Sequence, residues 1–384
     1  MDKDVQRLLA ELEAARQEAN TALHLAHRAR GPQQLDNVLN QIQCQLGSQR
    51  NTLDEIRRQI ADAVDSMNRR QFLQQVGVVG VPAVLPASAI CNALTSPLPT
   101  PGHVQSISGL RAAVQALWAA HQASRYDQLA SVVPATLAAL QHRNQEHNDA
   151  HALLSLTYQA VTGAMAKIGK SDLAWVAAER GIVAGKQSGS ATVLAAAERM
   201  YAHALLAQDR NQQAQRVALD AASSLRPDAT SSLAVYGACL NTTAIAAARQ
   251  GDPSAHEYLD EAQRVAQHLR QDRNDLFTAF GRTNVGIHRV SASVELGEGG
   301  AAVEHASSVN SEGLQPERRA HFFIDLAQAH DSDEAVVDAL LNAEEIAPEE
   351  VRYNSVARTL VASLLRARPT ATLQALAERT DVEA

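Results

Sequence analysis

The chain has 384 residues, enough for two or three ordinary domains or one extended repeat array, so burial of a sizeable core is not limiting. Its 46% apolar content is dominated by alanine while aromatics reach only 3%, a profile of closely packed helices that argues against a β-sandwich. The net charge of −8 is spread without a basic concentration, Cys44, Cys91 and Cys239 are isolated, and no apolar run approaches the ~20 residues that span a bilayer, so a nucleic-acid footprint, a disulfide or zinc framework and a membrane-spanning helix are all disfavoured.

An all-α protein is expected. Residues 2–30 place Val5, Leu8, Leu9, Leu12, Ala15, Ala19, Ala22, Leu23 and Ala26 at helical spacing, and Gly31-Pro32 ends the run. Residues 35–67 then follow alternating steps of four and three, with a seam through Leu39, Leu46, Leu53 and Ile60 that has the period of a coiled coil. Three arrangements fit residues 1–74: a helical hairpin folded back on itself, helices packed on the following domain, or a seam that joins two copies or docks a partner. Gly47-Ser48 sits in mid-seam, where glycine costs roughly 1 kcal/mol relative to alanine.

Residues 67–89 carry Arg69-Arg70, Phe72-Leu73, a mild apolar run and an Ala87-x-Ala89 site, the parts of a twin-arginine export signal. Met67, however, occupies the last seat of the heptad series, so the stretch reads as a connector; it would serve export only if translation began at Met67. Residues 75–105 form a connector strap rich in Val, Gly, Pro, Ser and Thr, with three prolines between 97 and 101 that forbid a helix there.

Residues 106–384 show a nearly continuous helical pattern with recurring breaks at Gly169, Asp209, Gly251 and Gly297. Each break precedes a helix with small residues at packing positions, such as Ala174, Ala177 and Ala178, or Ala214, Ala218 and Ala221. Breaks at this interval are the mark of helix-turn-helix units that bury their apolar faces by stacking, which predicts an irregular tetratricopeptide-like (TPR-like) α-solenoid with a concave inner surface.

Catalytic patterns are missing. The run Gly181 to Gln187 is one residue short of a phosphate-binding loop and has Gln187 where Ser or Thr is required. The pairs His24 with His27 and His147 with His151 have facial spacing without an HExxH context, and Glu344-Glu345 and Glu349-Glu350 read as solvated helix faces. The predicted protein is not an enzyme and needs no metal or cofactor.

The most unusual segment runs Thr278-Ala279-Phe280-Gly281-Arg282-Thr283-Asn284-Val285-Gly286-Ile287-His288-Arg289-Val290, with Asn284, His288 and Ser291 on successive turns of one stripe. Together with Asp172 to Arg180, Pro316 to Ala320 and Ala347 to Arg352, it resembles the C-terminal TPR sensor domain of bacterial XRE-type helix-turn-helix regulators over roughly residues 105–368, with Arg282 where that family more usually has Pro. The resemblance implies a groove that binds a peptide, small molecule or protein through Asn284 and His288, with Arg318 as a partner for a carboxylate or phosphate. Asn241, one repeat earlier, joins this candidate set by helical phase. The bland alternative is that Asn284 and His288 satisfy buried backbone between helices.

That family carries an N-terminal DNA-binding domain, in whose place this chain has the heptad region. The expected function is therefore a cytoplasmic regulatory or scaffold protein, a homodimer or partner-docking protein through its N-terminal helices, with nucleic acid and membrane not indicated. DNA binding through an atypical N-terminal region and export from a Met67 start are the alternatives.

Overall fold

A computed structural model of the chain describes residues 84–96, 98, 106–143, 148–226 and 228–382. The expected hairpin of residues 1–74 with its Leu39, Leu46, Leu53 and Ile60 seam, the stretch 67–83, and His24, His27 and His147 lie outside them. Among the described residues there are sixteen α-helices, one 3-10 turn and no strand, which is the all-α class that composition predicts.

Part of the expected strap is helical. Helix α1 (Val84–Thr95) buries Ala87, Ile90, Ala93 and Leu94, spaced to share one face. Pro86 does not prevent it, because it falls in the first turn, where a backbone N–H has no intrahelical acceptor. Pro97, two residues past the end, fits the expected stop.

Twelve helices follow: α2 (Ile107–Gln122), α3 (Tyr126–Arg143), α4 (Asn148–Lys167), α5 (Ser171–Gln187), α6 (Ala191–Leu206), α7 (Asn211–Ser223), α8 (Thr230–Ala248), α9 (Ala255–Leu269), α10 (Arg282–Glu295), α11 (Gly299–Ser307), α12 (Pro316–Ala329) and α13 (Asp333–Ile346). Three more close the described chain: α14 (Pro348–Tyr353), α15 (Ser355–Ala367) and α16 (Ala371–Thr380). The predicted breaks are the turns α4–α5, α6–α7, α8–α9 and α10–α11. Gly169, Asp209, Gly251 and Gly297 hold left-handed φ of 73°, 56°, 69° and 77°. In each turn the next residue's N–H reaches back to the third-last helical carbonyl or its equivalent: Lys170 to Met165 (2.8 Å), Arg210 to Leu205 (3.0 Å), Asp252 to Ala247 (3.1 Å) and Glu298 to Ser293 (2.8 Å). One sharp reversal motif is thus used four times. The alanines expected at packing positions, Ala174, Ala177, Ala178, Ala214, Ala218 and Ala221, are all buried.

Each even-numbered helix from α2 to α10 packs on the next even-numbered one, and α12 packs back on α2. Six helices therefore surround a common interior. The odd-numbered helices α3 to α13 each pack on a neighbour in that ring.

Residues 270–281, between α9 and α10, cross to the start of this ring. Asn274 and Gln122 exchange two side-chain hydrogen bonds of 2.9 Å, although 152 residues separate them, and the Phe277 ring stacks on Trp118 at 4.7 Å and 8°. Leu276, Phe277 and Ala279 take left-handed φ of 46°, 60° and 50°, each at a cost of roughly 1–2 kcal/mol, so firm anchors are needed. Phe280 is the anchor: fully buried, it lies so close to the α8 backbone that a Cβ on Gly237 would fall 1.9 Å from its ring. We expect Gly237→Ala to displace Phe280 and lower stability by about 1–3 kcal/mol or more, read as a drop in the chemical-denaturation midpoint. An unchanged midpoint would show that this close approach does not hold the loop.

Candidate functional site

The interior of the ring is a cavity of about 710 Å³, within the usual range of ligand sites. Its walls come mainly from α2, α4, α6, α8, α10 and α12, with Phe277, Thr278 and Ala279 of the crossing loop along one edge. All four groove residues read from the sequence, Asn241, Asn284, His288 and Arg318, line it.

Asn241 on α8 is 1% exposed, and neither its Oδ1 nor its Nδ2 has a hydrogen-bond partner. Asn284 on α10 is 3% exposed with an unpartnered Oδ1. Buried amides left open in this way are rare, because each forfeits hydrogen bonds it had in water. His288 Nδ1 donates to the Asn284 carbonyl at 2.8 Å, which fixes the tautomer and leaves Nε2 as an acceptor while the ring is neutral. Burial, then the positive field of Arg318, lowers its pKa to about 4. His288 thus bonds a carbonyl of its own helix rather than backbone between helices, and the Asn284 side-chain oxygen has no partner.

Arg318 differs from its expected role, since its guanidinium is already engaged by Glu317, with Nε 2.6 Å from Oε2 and Nη2 on Oε1. Glu317 also accepts Lys167 Nζ at 2.6 Å, and the same ammonium reaches Glu350 Oε1 at 2.5 Å. The other Glu350 oxygen accepts Tyr126 Oη at 2.5 Å and Ser124 Oγ at 2.8 Å. Burial opposes the Glu317 charge, but Arg318 and Lys167 outweigh it and hold that carboxyl well below the usual range. Burial also opposes the Lys167 charge, and Glu317 and Glu350 reverse the effect and raise its pKa. The expectation of a solvated Glu349-Glu350 face is corrected here: Glu350 is 1% exposed, because an ammonium and two hydroxyls satisfy its carboxylate in place of water.

Several lining groups escaped sequence reasoning. Arg199 and His203 stand one turn apart on α6, with Nη1 3.2 Å from Nε2, and Arg318, His321 and Asp325 form a stripe on α12. The facial spacing that exposed Asn284 and His288 was present in both. His121 on α2 is buried with neither ring nitrogen partnered. Asp325 accepts the Ser291 hydroxyl and has His321 Nε2 at 3.8 Å; burial pushes its carboxyl up to about 7. No family model and no curated protein matches this chain.

These histidines give a signed pH response. Burial lowers His121 and His288 to about 4 and His203 and His321 well below the ordinary value. Between pH 6.5 and 4 the unfolded chain thus binds more protons than the folded one, and stability falls as pH falls. Asp325, raised to about 7, acts in the opposite sense over much of the same window, and Glu198 and Glu349, raised by burial, add to it, against the four histidines. The melting temperature is expected to drop steadily from pH 7 to pH 4.5, with His288 contributing up to about 3 kcal/mol near pH 4. His288→Gln should flatten the profile; an unchanged slope would mean that this ring is not held neutral by its surroundings.

Proposed function

We propose that the chain is a non-enzymatic regulatory or scaffold protein in which a TPR-like α-solenoid curls round and holds a peptide, a small molecule or a segment of a partner protein in its inner cavity. The open amides of Asn241 and Asn284 carry this reading: buried polar groups without partners, on the wall of a space large enough for a ligand, are groups that an occupant would satisfy. The resemblance to XRE-type TPR regulators supports the regulatory part, because the segment that bears it, residues 278–290, forms one edge and one wall of that cavity.

The chemistry of the lining and of the groups just behind it supports binding over turnover. Ser291 gives its hydroxyl to the Ile287 carbonyl or to Asp325, with no imidazole bonded to it as a base. Burial pushes the Cys239 thiol up to about 12, which keeps it protonated. Glu317 and Glu350 are engaged in ion pairs. In this proposal the N-terminal heptads join two copies or dock a partner, and the protein acts in the cytoplasm.

Affinity capture of the full-length protein from its native lysate, followed by mass spectrometry of proteins and small molecules, tests the binding role. We expect a molecule enriched on the wild type and absent from Asn241→Ala and Asn284→Ala, with melting temperatures within a few degrees of wild type. A bound fraction that those variants leave intact would refute it. The dimer is tested separately by Leu46→Asp combined with Leu53→Asp: light scattering should report half the wild-type mass, and an unchanged mass removes the seam.

A further inference from the structure

Arg199 is placed differently from the other cations of the cavity. Lys167 and Arg318 stand against Glu317 and Glu350, and Arg249 lies 2.8 Å from Glu295. Arg199 makes its direct contacts with neutral groups, and Arg318 and Glu317 act on it only through their fields. Its Nη1 meets His203 Nε2 at 3.2 Å, its Nη2 meets the Met200 sulfur at 3.3 Å, and its Nε is buried with no partner. Among the described residues no carboxylate pairs with it.

A guanidinium taken out of water without a counter-ion is strongly unfavourable, while the same group facing a carboxylate in a sheltered cavity makes short, charge-assisted hydrogen bonds. The neighbours keep this place open to an anion. His203 accepts from Arg199, and burial followed by the Arg199 charge itself holds that ring neutral, so it brings no negative charge of its own. The Thr242 hydroxyl lies 3.3 Å from His203 Nε2 and ties this point to α8, where Asn241 is the adjacent residue with both amide atoms open. Ala238, Ile245 and Met200 give the surrounding wall its apolar surface.

We infer that the cavity selects a small organic acid, whose carboxylate is received by Arg199, whose neighbouring amide or hydroxyl is received by Asn241 and Asn284, and whose apolar body rests on Ala238, Ile245 and Met200. The lining also carries Asp209, Glu295, Glu317 and Asp325, so the assignment rests on position: Arg199 is the lining cation that no carboxylate meets among the described residues. The anion-binding role that sequence resemblance suggested for Arg318 thus passes to Arg199, since Arg318 is already engaged by Glu317. The inference rests on the binding function proposed above and adds the charge class of the occupant.

The experiment uses the full-length protein and matched probes: sodium acetate, sodium benzoate and N-acetyltryptophan, against sodium chloride at equal ionic strength and against the neutral N-acetyltryptophanamide. Melting temperature and calorimetric titration are the readouts. At least one carboxylate should raise the wild-type melting temperature by about 2 °C or more over chloride, and the acid should bind roughly tenfold or more tightly than its amide. Arg199→Gln should abolish both differences, and Arg199→Lys should restore part of them. Because no carboxylate of the described residues meets the guanidinium, Arg199→Gln should melt at or above the wild-type temperature in chloride; a large fall would mark Arg199 as structural and overturn the inference. Equal responses of wild type and Arg199→Gln to every probe would overturn it too. If lysate capture meanwhile yields a neutral or cationic molecule, the cavity still binds and only the charge assignment fails; if capture yields nothing, the binding function fails independently of these probes.

Discussion

The ammonium of Lys167, held between Glu317 and Glu350, is the contact on which the architecture turns. Lys167 ends α4, whereas the two carboxylates belong to α12 and α14, so the triad joins helices separated by most of the described chain. Tyr126 and Ser124 add hydroxyls to Glu350, the Glu349 carboxylate accepts the Tyr126 backbone N–H at 2.5 Å, and Tyr353 donates to Asp127 at 3.1 Å. Such a cluster is costly to desolvate and adds less net stability than its short distances suggest, yet removing one member from a buried ion pair typically costs about 3–5 kcal/mol. What it specifies is geometry. With these groups paired, α12 must lie beside α2, and six helices enclose a volume instead of presenting an open face.

The interior and the shell solve different problems. Outward, alanines and left-handed turn residues let helices pair closely with few aromatic side chains, which is why a chain with 3% aromatics builds an extensive core. Inward, the same helices carry Arg, His, Asn and Asp at one-turn intervals, polar groups that a stacked array of helices would ordinarily leave in water. Closing the ring shelters them, and the lowered histidine pKa values and raised Asp325 value follow from that shelter. The crossing loop is a second closure, in which Phe280 anchored against Gly237 offsets the strain at Leu276, Phe277 and Ala279.

How much of this was legible in the sequence depends on the range of the cause. The turns at Gly169, Asp209, Gly251 and Gly297 were readable because a left-handed residue is a local requirement with few solutions. Asn284 and His288 were readable because one helical turn sets their spacing, and Arg199 with His203 offered the same signal. Residues 84–95 were misjudged because Val, Gly and Pro composition was weighed above the position of Pro86 within a first turn. Glu350 was misjudged for a different reason: paired acids on a helix default to solvent, and only Lys167, far away in the chain, changes that. The pairing of residues 167 and 350 has no local signature, so neither did the enclosure of the cavity.

Ring closure also separates this protein from stacked arrays in which each unit leans only on its neighbours and stability sums unit by unit. Here Asn241 and Asn284 face a cavity whose far side is closed by α12, which Glu317 ties to Lys167. During synthesis the segments bearing Arg199, Asn241 and Asn284 leave the ribosome well before the residues that seal them in, so the interior is assembled last, when the chain has been made through Tyr353. A shortened chain ending before α14 would keep Arg199, Asn241, Asn284 and Arg318 and lose both the Glu350 contact and the wall residues Asn354 to Val356. Synthesis of α14 and formation of the cavity are, for this fold, linked events.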